Sequence, residues 1–148
     1  MDTIGSITIP TEQDFDEITE IWERSVRATH HFLKEEDIRY FKPLVRNQYL
    51  GLVKLYCIRD EKAITGFLGL SDDKIEMLFI DPDYIGQGIG GRLLKFAIHE
   101  LGYSKVDVNE QNTNALAFYK RYRFEVVGRT EQDATGRDYP ILQLALRS

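Results

Sequence analysis

Glycines crowd one short stretch of this chain, Gly86-Gln87-Gly88-Ile89-Gly90-Gly91, between a β-rich run and a run of helical period. Residues without a Cβ let consecutive backbone N–H groups turn toward one point, and the start of a helix adds partial positive charge there. Such a turn can cradle a diphosphate. No Lys-Ser/Thr pair follows the last glycine, so the loop lacks what a nucleotide triphosphatase needs. Gly86, Gly88 and Gly91 also satisfy G-x-G-x-x-G, with Asp107 about 20 residues further on, as a dinucleotide site requires. Context argues against that reading. A dinucleotide fold places its glycine turn after the first strand of a parallel set, whereas short antiparallel strands precede this one. Roughly 40 residues remain after Asp107, too few for the second half of such a fold.

Other reactive side chains are sparse. His30 and His31 are neighbours, and on a helix their side chains diverge by about 100°, so they do not form a metal pair. No metal site is expected. The single cysteine, Cys57, lies in the apolar run Leu55-Tyr56-Cys57-Ile58 and reads as a buried, inert thiol.

The elements that must hold the glycine turn follow from period and punctuation. Ser6-Ile7-Thr8-Ile9 alternates as a strand and stops at Pro10. Thr11 with Asp14 resembles a capping box, and Phe15, Ile18, Ile21, Trp22 and Val26 form the apolar face of a helix. Leu33 to Leu50 reads as a second helical stretch, interrupted at Pro43. Three strands follow, Leu55 to Arg59, Ile64 to Leu70 and Lys74 to Ile80, joined by turns too short for anything but antiparallel neighbours. After the loop come a helix that stops at Gly102, a strand at Lys105 to Val108 and a helix at Asn112 to Tyr122. Phe124 to Val127 and Tyr139 to Leu146 close the chain as strands. The order is β-α-α-β-β-β-α-β-α-β-β, an α/β chain with a mixed sheet. One parallel pair joins the strand ending at Ile80 to the strand starting at Lys105.

The 148 residues and 43% apolar content suit one domain spanning 1–148. No stretch approaches the ~20 apolar residues of a membrane span, and Met1-Asp2-Thr3-Ile4-Gly5 does not read as a signal peptide. A cytoplasmic protein without a membrane partner is expected. The net charge of -5 argues against nucleic-acid binding and suits a basic or amine substrate.

The segment Leu78 to Leu94, with Ile85-Gly86-Gln87-Gly88-Ile89-Gly90 at its centre, resembles the coenzyme A signature Arg/Gln-x-x-Gly-x-Gly/Ala of the GNAT superfamily of N-acetyltransferases. Asn112-x-x-Ala115-x-x-Phe118-Tyr119, followed by Phe124, resembles that family's second signature. The stretch Ser25 to Leu33 is similar to a subgroup of small bacterial members. Two departures stand out. Ile85 occupies the position of the usual Arg or Gln, and Arg123 replaces the usual glycine before Phe124.

The resemblance implies a GNAT fold, with a mostly antiparallel sheet flanked by helices, and acetyl-CoA as acyl donor. Leu78, Phe79 and Ile80 would offer backbone groups to a pantetheine arm lying between splayed strands, as a peptide-like guest mimics a strand. The turn from Ile85 through Gly86, Gln87, Gly88, Ile89, Gly90, Gly91 and Arg92 would hold the diphosphate. Asn112, Ala115, Phe118 and Tyr119 would line the pantetheine side. A lysine-type amine has a pKa of about 10.4, so a base must take its proton before attack. Glu76 matches the family's carboxylate for that task, and His30 or His31 would bind the acceptor or relay its proton. Tyr119 matches the phenol that protonates the departing thiolate, and a backbone N–H near Phe79 would stabilise the thioester oxygen. The implied acceptor is a small molecule, peptide or protein bearing an amine, and the implied assembly a monomer or homodimer. The alternative is a non-catalytic acyl-CoA sensor or partner-binding module, whose mark would be loss of both Tyr119 and the strand carboxylate.

Overall fold

A computed structural model describes residues 5–147. Residues 1–4, most of the segment read as lacking a leader, lie outside the described residues. Among the described residues, seven strands form one sheet in the order β1-β2-β3-β4-β5-β7-β6. They are β1 (Ser6–Thr8), β2 (Lys54–Arg59), β3 (Ile64–Leu70), β4 (Ile75–Ile80), β5 (Lys105–Asn109), β6 (Phe124–Thr130) and β7 (Ile141–Leu146). Every residue of β3 is buried, because helices cover both faces of the sheet there. On one face, α1 (Phe15–Thr29) and α2 (Glu35–Leu44) pack Ile18, Ile21, Trp22, Val26 and Ile38 against Cys57, Ile64 and Phe67. On the other, α4 (Ile89–Lys95) and α5 (Thr113–Arg121) pack Leu93, Leu94 and Tyr119 against Leu68, Leu70 and Val106.

Among the described residues the expected order is present, with the antiparallel β2-β3-β4 meander and one parallel pairing, of β4 with β5. The entry to α1 holds as read, since Asp14 Oδ2 accepts from the Thr11 N–H at 2.8 Å. Pro43 does not interrupt the second helix as expected. It lies within α2, whose end widens into a π-helical turn at Val45–Tyr49 before the short α3 (Leu50–Leu52). A missing N–H removes one rung of an α-helix, and the chain stays helical here by adopting the wider turn. A similar π-helical turn, Phe96–Glu100, extends α4. Gly102 then ends the run at φ 78°. Arg123 takes the left-handed conformation, φ 74°, that a glycine would adopt more cheaply. The turn into β6 is thereby kept without glycine.

Candidate active site

The site begins with a fault in strand pairing. On the β3 side, Gly69 pairs with Met77 and Leu70 with Ile75, so Glu76 is an extra residue in β4. Such a bulge bends a strand and re-aims its side chains. On the β5 side, β4 pairs only at Ile75 with Val106. Beyond that point the strands part, and the β4 backbone from Met77 to Ile80 faces an open cleft of ≈ 330 Å³. Leu78, Phe79, Ile80, Ile85, Gly90, Asn112, Ala115, Phe118 and Tyr119 line it, and so do Glu76 and His30.

The glycine loop lies at one end of this cleft. Asp81, 6% exposed, accepts from the Asp83 N–H at 3.1 Å and from Arg24 at 2.6 Å, which ties the loop entrance to α1. Gly86 and Gly88 have φ of 89° and 84°, which only glycine adopts without strain. The first helical hydrogen bond beyond the loop runs from the Arg92 N–H to the Gly88 carbonyl at 3.0 Å. The N–H groups of Ile89, Gly90 and Gly91 therefore precede the ladder, as at any helix start. No side chain among the described residues accepts from them. Of the loop residues, Ile85 and Gly90 reach the cleft wall. Gly86, Gln87 and Gly88 are exposed, Gly91 and Arg92 are partly buried, and the Ile89 side chain enters the core at 2% exposure. What Gly86 to Gly91 offer a ligand is backbone.

Tyr119 projects from α5 into the cleft wall and is buried, edge-on to Phe118 and Phe124. Burial pushes its phenol above the ordinary tyrosine value, so the group holds its proton. Among the described residues its hydroxyl has no hydrogen-bond partner. A phenol in that state suits proton donation.

His30 is the C-cap of α1 rather than a residue within it. The Thr29 hydroxyl donates to the Ser25 carbonyl at 2.7 Å, and its oxygen lies 2.7 Å from His30 Nδ1. The hydroxyl hydrogen being committed, Nδ1 donates and Nε2 keeps its lone pair. That lone pair faces Asn112 Nδ2 at 3.4 Å, while Asn112 Oδ1 caps α5 by accepting from the Ala115 N–H at 3.1 Å. Burial, with the neighbouring His31 a smaller cause, holds the His30 pKa down at about 4. The ring is neutral near pH 7.

Glu76 is exposed, 3.9 Å from Lys74 Nζ, which bonds Asp107 Oδ2 at 2.7 Å. Lys74 and Asp107 thus cross the gap where β4 and β5 separate. Sequence reasoning missed this pair, and also Ser25, Thr29, Asn109 and Asn114 in the cleft wall. The spacing of Ser25 and Thr29, one helical turn apart, was a usable signal for the relay to His30. Nothing local marks Lys74 and Asp107 as partners. No cluster of metal-ligating side chains occurs among the described residues, and Cys57 is buried beside Thr8 with burial raising its thiol pKa.

A split sheet, a backbone-lined cleft and a glycine turn before a helix define a site for a long phosphate-bearing ligand with a strand-like arm. The sequence matches the Acetyltransferase (GNAT) domain family over residues 24–140. It is 39% identical to the peptidyl-lysine N-acetyltransferase YjaB of Escherichia coli (strain K12), covering 95% of each chain. It is 27% identical to YiaC of the same organism, also a peptidyl-lysine N-acetyltransferase, covering 80% of this chain and 82% of that one. The solution structure of apo YjaB from Escherichia coli superimposes with a TM-score of 0.87 over 95% of each chain. The PaiA N-acetyltransferase of Thermoplasma acidophilum, solved with coenzyme A, shares the fold at a TM-score of 0.76 and 17% identity, covering 96% and 98% of the two chains. This chain belongs to the GNAT family of acetyltransferases.

Proposed function

We propose that this acetyltransferase moves an acetyl group from acetyl-CoA to the side-chain amine of a lysine in a peptide or protein, by direct attack within a ternary complex. One observation carries the reading: β4 leaves β5 at the bulged Glu76 and opens a cleft that runs from His30, Glu76 and Tyr119 to the glycine loop. The residues fit the coenzyme. An unpaired strand edge from Met77 to Ile80 suits the amides of pantetheine, and the amides of Gly86 to Gly91 suit a diphosphate. The lysine acceptor is supported by relatives of 39% and 27% identity that bear that activity in their names.

When bound, acetyl-CoA supplies an activated carbonyl and a thiolate leaving group. Leu78, Phe79 and Ile80 hold its arm through backbone hydrogen bonds, with Asn112, Ala115 and Phe118 on the opposite wall. A backbone N–H near Phe79 faces the carbonyl oxygen as charge develops there. Glu76 accepts the proton of the incoming ammonium, directly or through water. His30 presents an unprotonated Nε2 on the same side and keeps Asn112 oriented. Tyr119 gives its proton to the departing sulfur. Cys57 has no part in direct transfer, being buried and protonated.

The test is to mix the protein and acetyl-CoA with lysine-containing peptides, N-terminally blocked and unblocked, and with free polyamines. Thiol release and product mass are then followed. Acetylation at lysine Nζ of blocked peptides is expected; transfer only to polyamines or peptide N-termini would refute the lysine acceptor.

A further inference from the structure

Lys74 is the last residue before β4, and its side chain turns toward the split in the sheet. Its Nζ lies 2.7 Å from Asp107 Oδ2 on β5 and 3.9 Å from Glu76 Oε1 on β4. These two carboxylates belong to strands that pair only at Ile75 and Val106, and both line the cleft. The Lys74 ammonium is thus set at the apex of the split, between one carboxylate from each parted edge. Lys42 also forms ion pairs, but with Glu20 and Glu23 of α1, neither of which lines the cleft.

A base must come within hydrogen-bond reach of the amine it deprotonates, directly or through one water. Any amine that Glu76 is to serve therefore has to approach the space where Lys74 Nζ already stands. The resident group is of the same chemical kind as the proposed acceptor, a lysine Nζ on a flexible four-carbon stem. Being tethered, it meets a bound donor at an effective concentration that a peptide in solution does not reach. One feature opposes the reaction. The hydrogen bond to Asp107 holds the Lys74 amine above the ordinary lysine value and so favours its protonated, unreactive form. Attack by this amine is slow near neutral pH and speeds up as pH rises.

We infer that Lys74 is itself an acceptor, and that the protein acetylates its own Lys74 Nζ within one molecule from acetyl-CoA bound in the cleft. The inference rests on the proposed transfer from acetyl-CoA to lysine. Glu76 takes a proton from the Lys74 ammonium, and the freed lone pair attacks the thioester carbonyl. The C–N bond forms, the C–S bond breaks, and coenzyme A leaves. Of the two protons that the nitrogen gives up, one passes through Glu76 to solvent. The other balances the proton that Tyr119 donates to the departing sulfur. The product at Lys74 is a neutral amide, which no longer pairs as a cation with Asp107.

Protein whose intact mass shows no acetyl group is incubated with acetyl-CoA at mildly alkaline pH, without any peptide acceptor, and mapped by mass spectrometry. Acetylation at Lys74 is expected, at a rate that saturates with acetyl-CoA and does not change when the protein is diluted. A lysine peptide added in excess should slow it by competing for the same bound donor. Lys74→Arg keeps a cation beside Asp107 and should take up no acetyl group. A rate that rises linearly with acetyl-CoA marks chemical acetylation from solution and overturns the inference. A rate that falls on dilution marks transfer between molecules and overturns it equally. Acetylation of the added peptide with Lys74 left unmodified refutes self-acetylation while the proposed function stands. Protein that acetylates neither peptide nor Lys74 removes the proposed function and this inference with it.

Discussion

His30 Nε2 lies 3.4 Å from Asn112 Nδ2, so the last turn of α1 and the first turn of α5 meet across the mouth of the cleft. This contact needs an unprotonated ring nitrogen. The folded pKa of about 4 lies below the ordinary 6.5, so protonation favours the unfolded chain. The stability that neutral His30 supports is complete above about pH 6.5 and is lost as pH falls toward 4, by on the order of 2–3 kcal/mol. Urea denaturation from pH 4 to 7.5 should show this slope in the wild type and a shallower one in His30→Gln. Parallel slopes would remove the assignment of a buried, neutral imidazole.

Tyr119→Phe keeps the ring that packs on Phe118 and Phe124 and deletes only the hydroxyl. Turnover should fall by roughly 10- to 1,000-fold, with acetyl-CoA affinity and thermal stability nearly unchanged. Steady-state rates together with calorimetry check this. Full activity in the variant would rule out the phenol as acid.

Glu76→Gln preserves the length of the bulged side chain and removes its basicity. A drop in kcat/KM of about 10- to 100-fold is expected, partly recovered as pH rises and free amine becomes available. The pH–rate profile is the informative readout. A loss that stays constant at every pH would point to a structural role at the bulge instead.

Gly88→Glu adds a carboxylate and a strained side chain at φ 84° beside the amides proposed to hold the diphosphate. Acetyl-CoA binding should vanish while circular dichroism stays native, because the loop is exposed. Undiminished binding in the variant would show that the diphosphate lies elsewhere.

The strands and helices were legible because their apolar periods agree with burial: Ile18, Ile21, Trp22 and Val26 fall on one helical face and are all buried. The place of the glycine loop between a strand and a helix was legible because its residues are contiguous. The proline at 43 misled, since sequence shows the missing N–H but not the wider turn that accommodates it. The extra residue at Glu76 could not be read either, because a bulge is defined by the partner register of β3, some seven residues away in sequence and set by the whole sheet. The tautomer of His30 depends on a hydroxyl one residue back, a carbonyl five back and an amide from α5. Each of those groups is ordinary by itself.

The junction at Ile75 and Val106 leaves two blocks of sheet, β1 to β4 and β5 to β7, with one rung of pairing between them. Any guest that bonds to both parted edges acts as an added strand and fastens the blocks together. Coenzyme supply and mechanical cohesion are then linked: heat resistance should climb with donor concentration as RT ln(1 + [L]/Kd), and amide exchange along Met77 to Ile80 should slow in step.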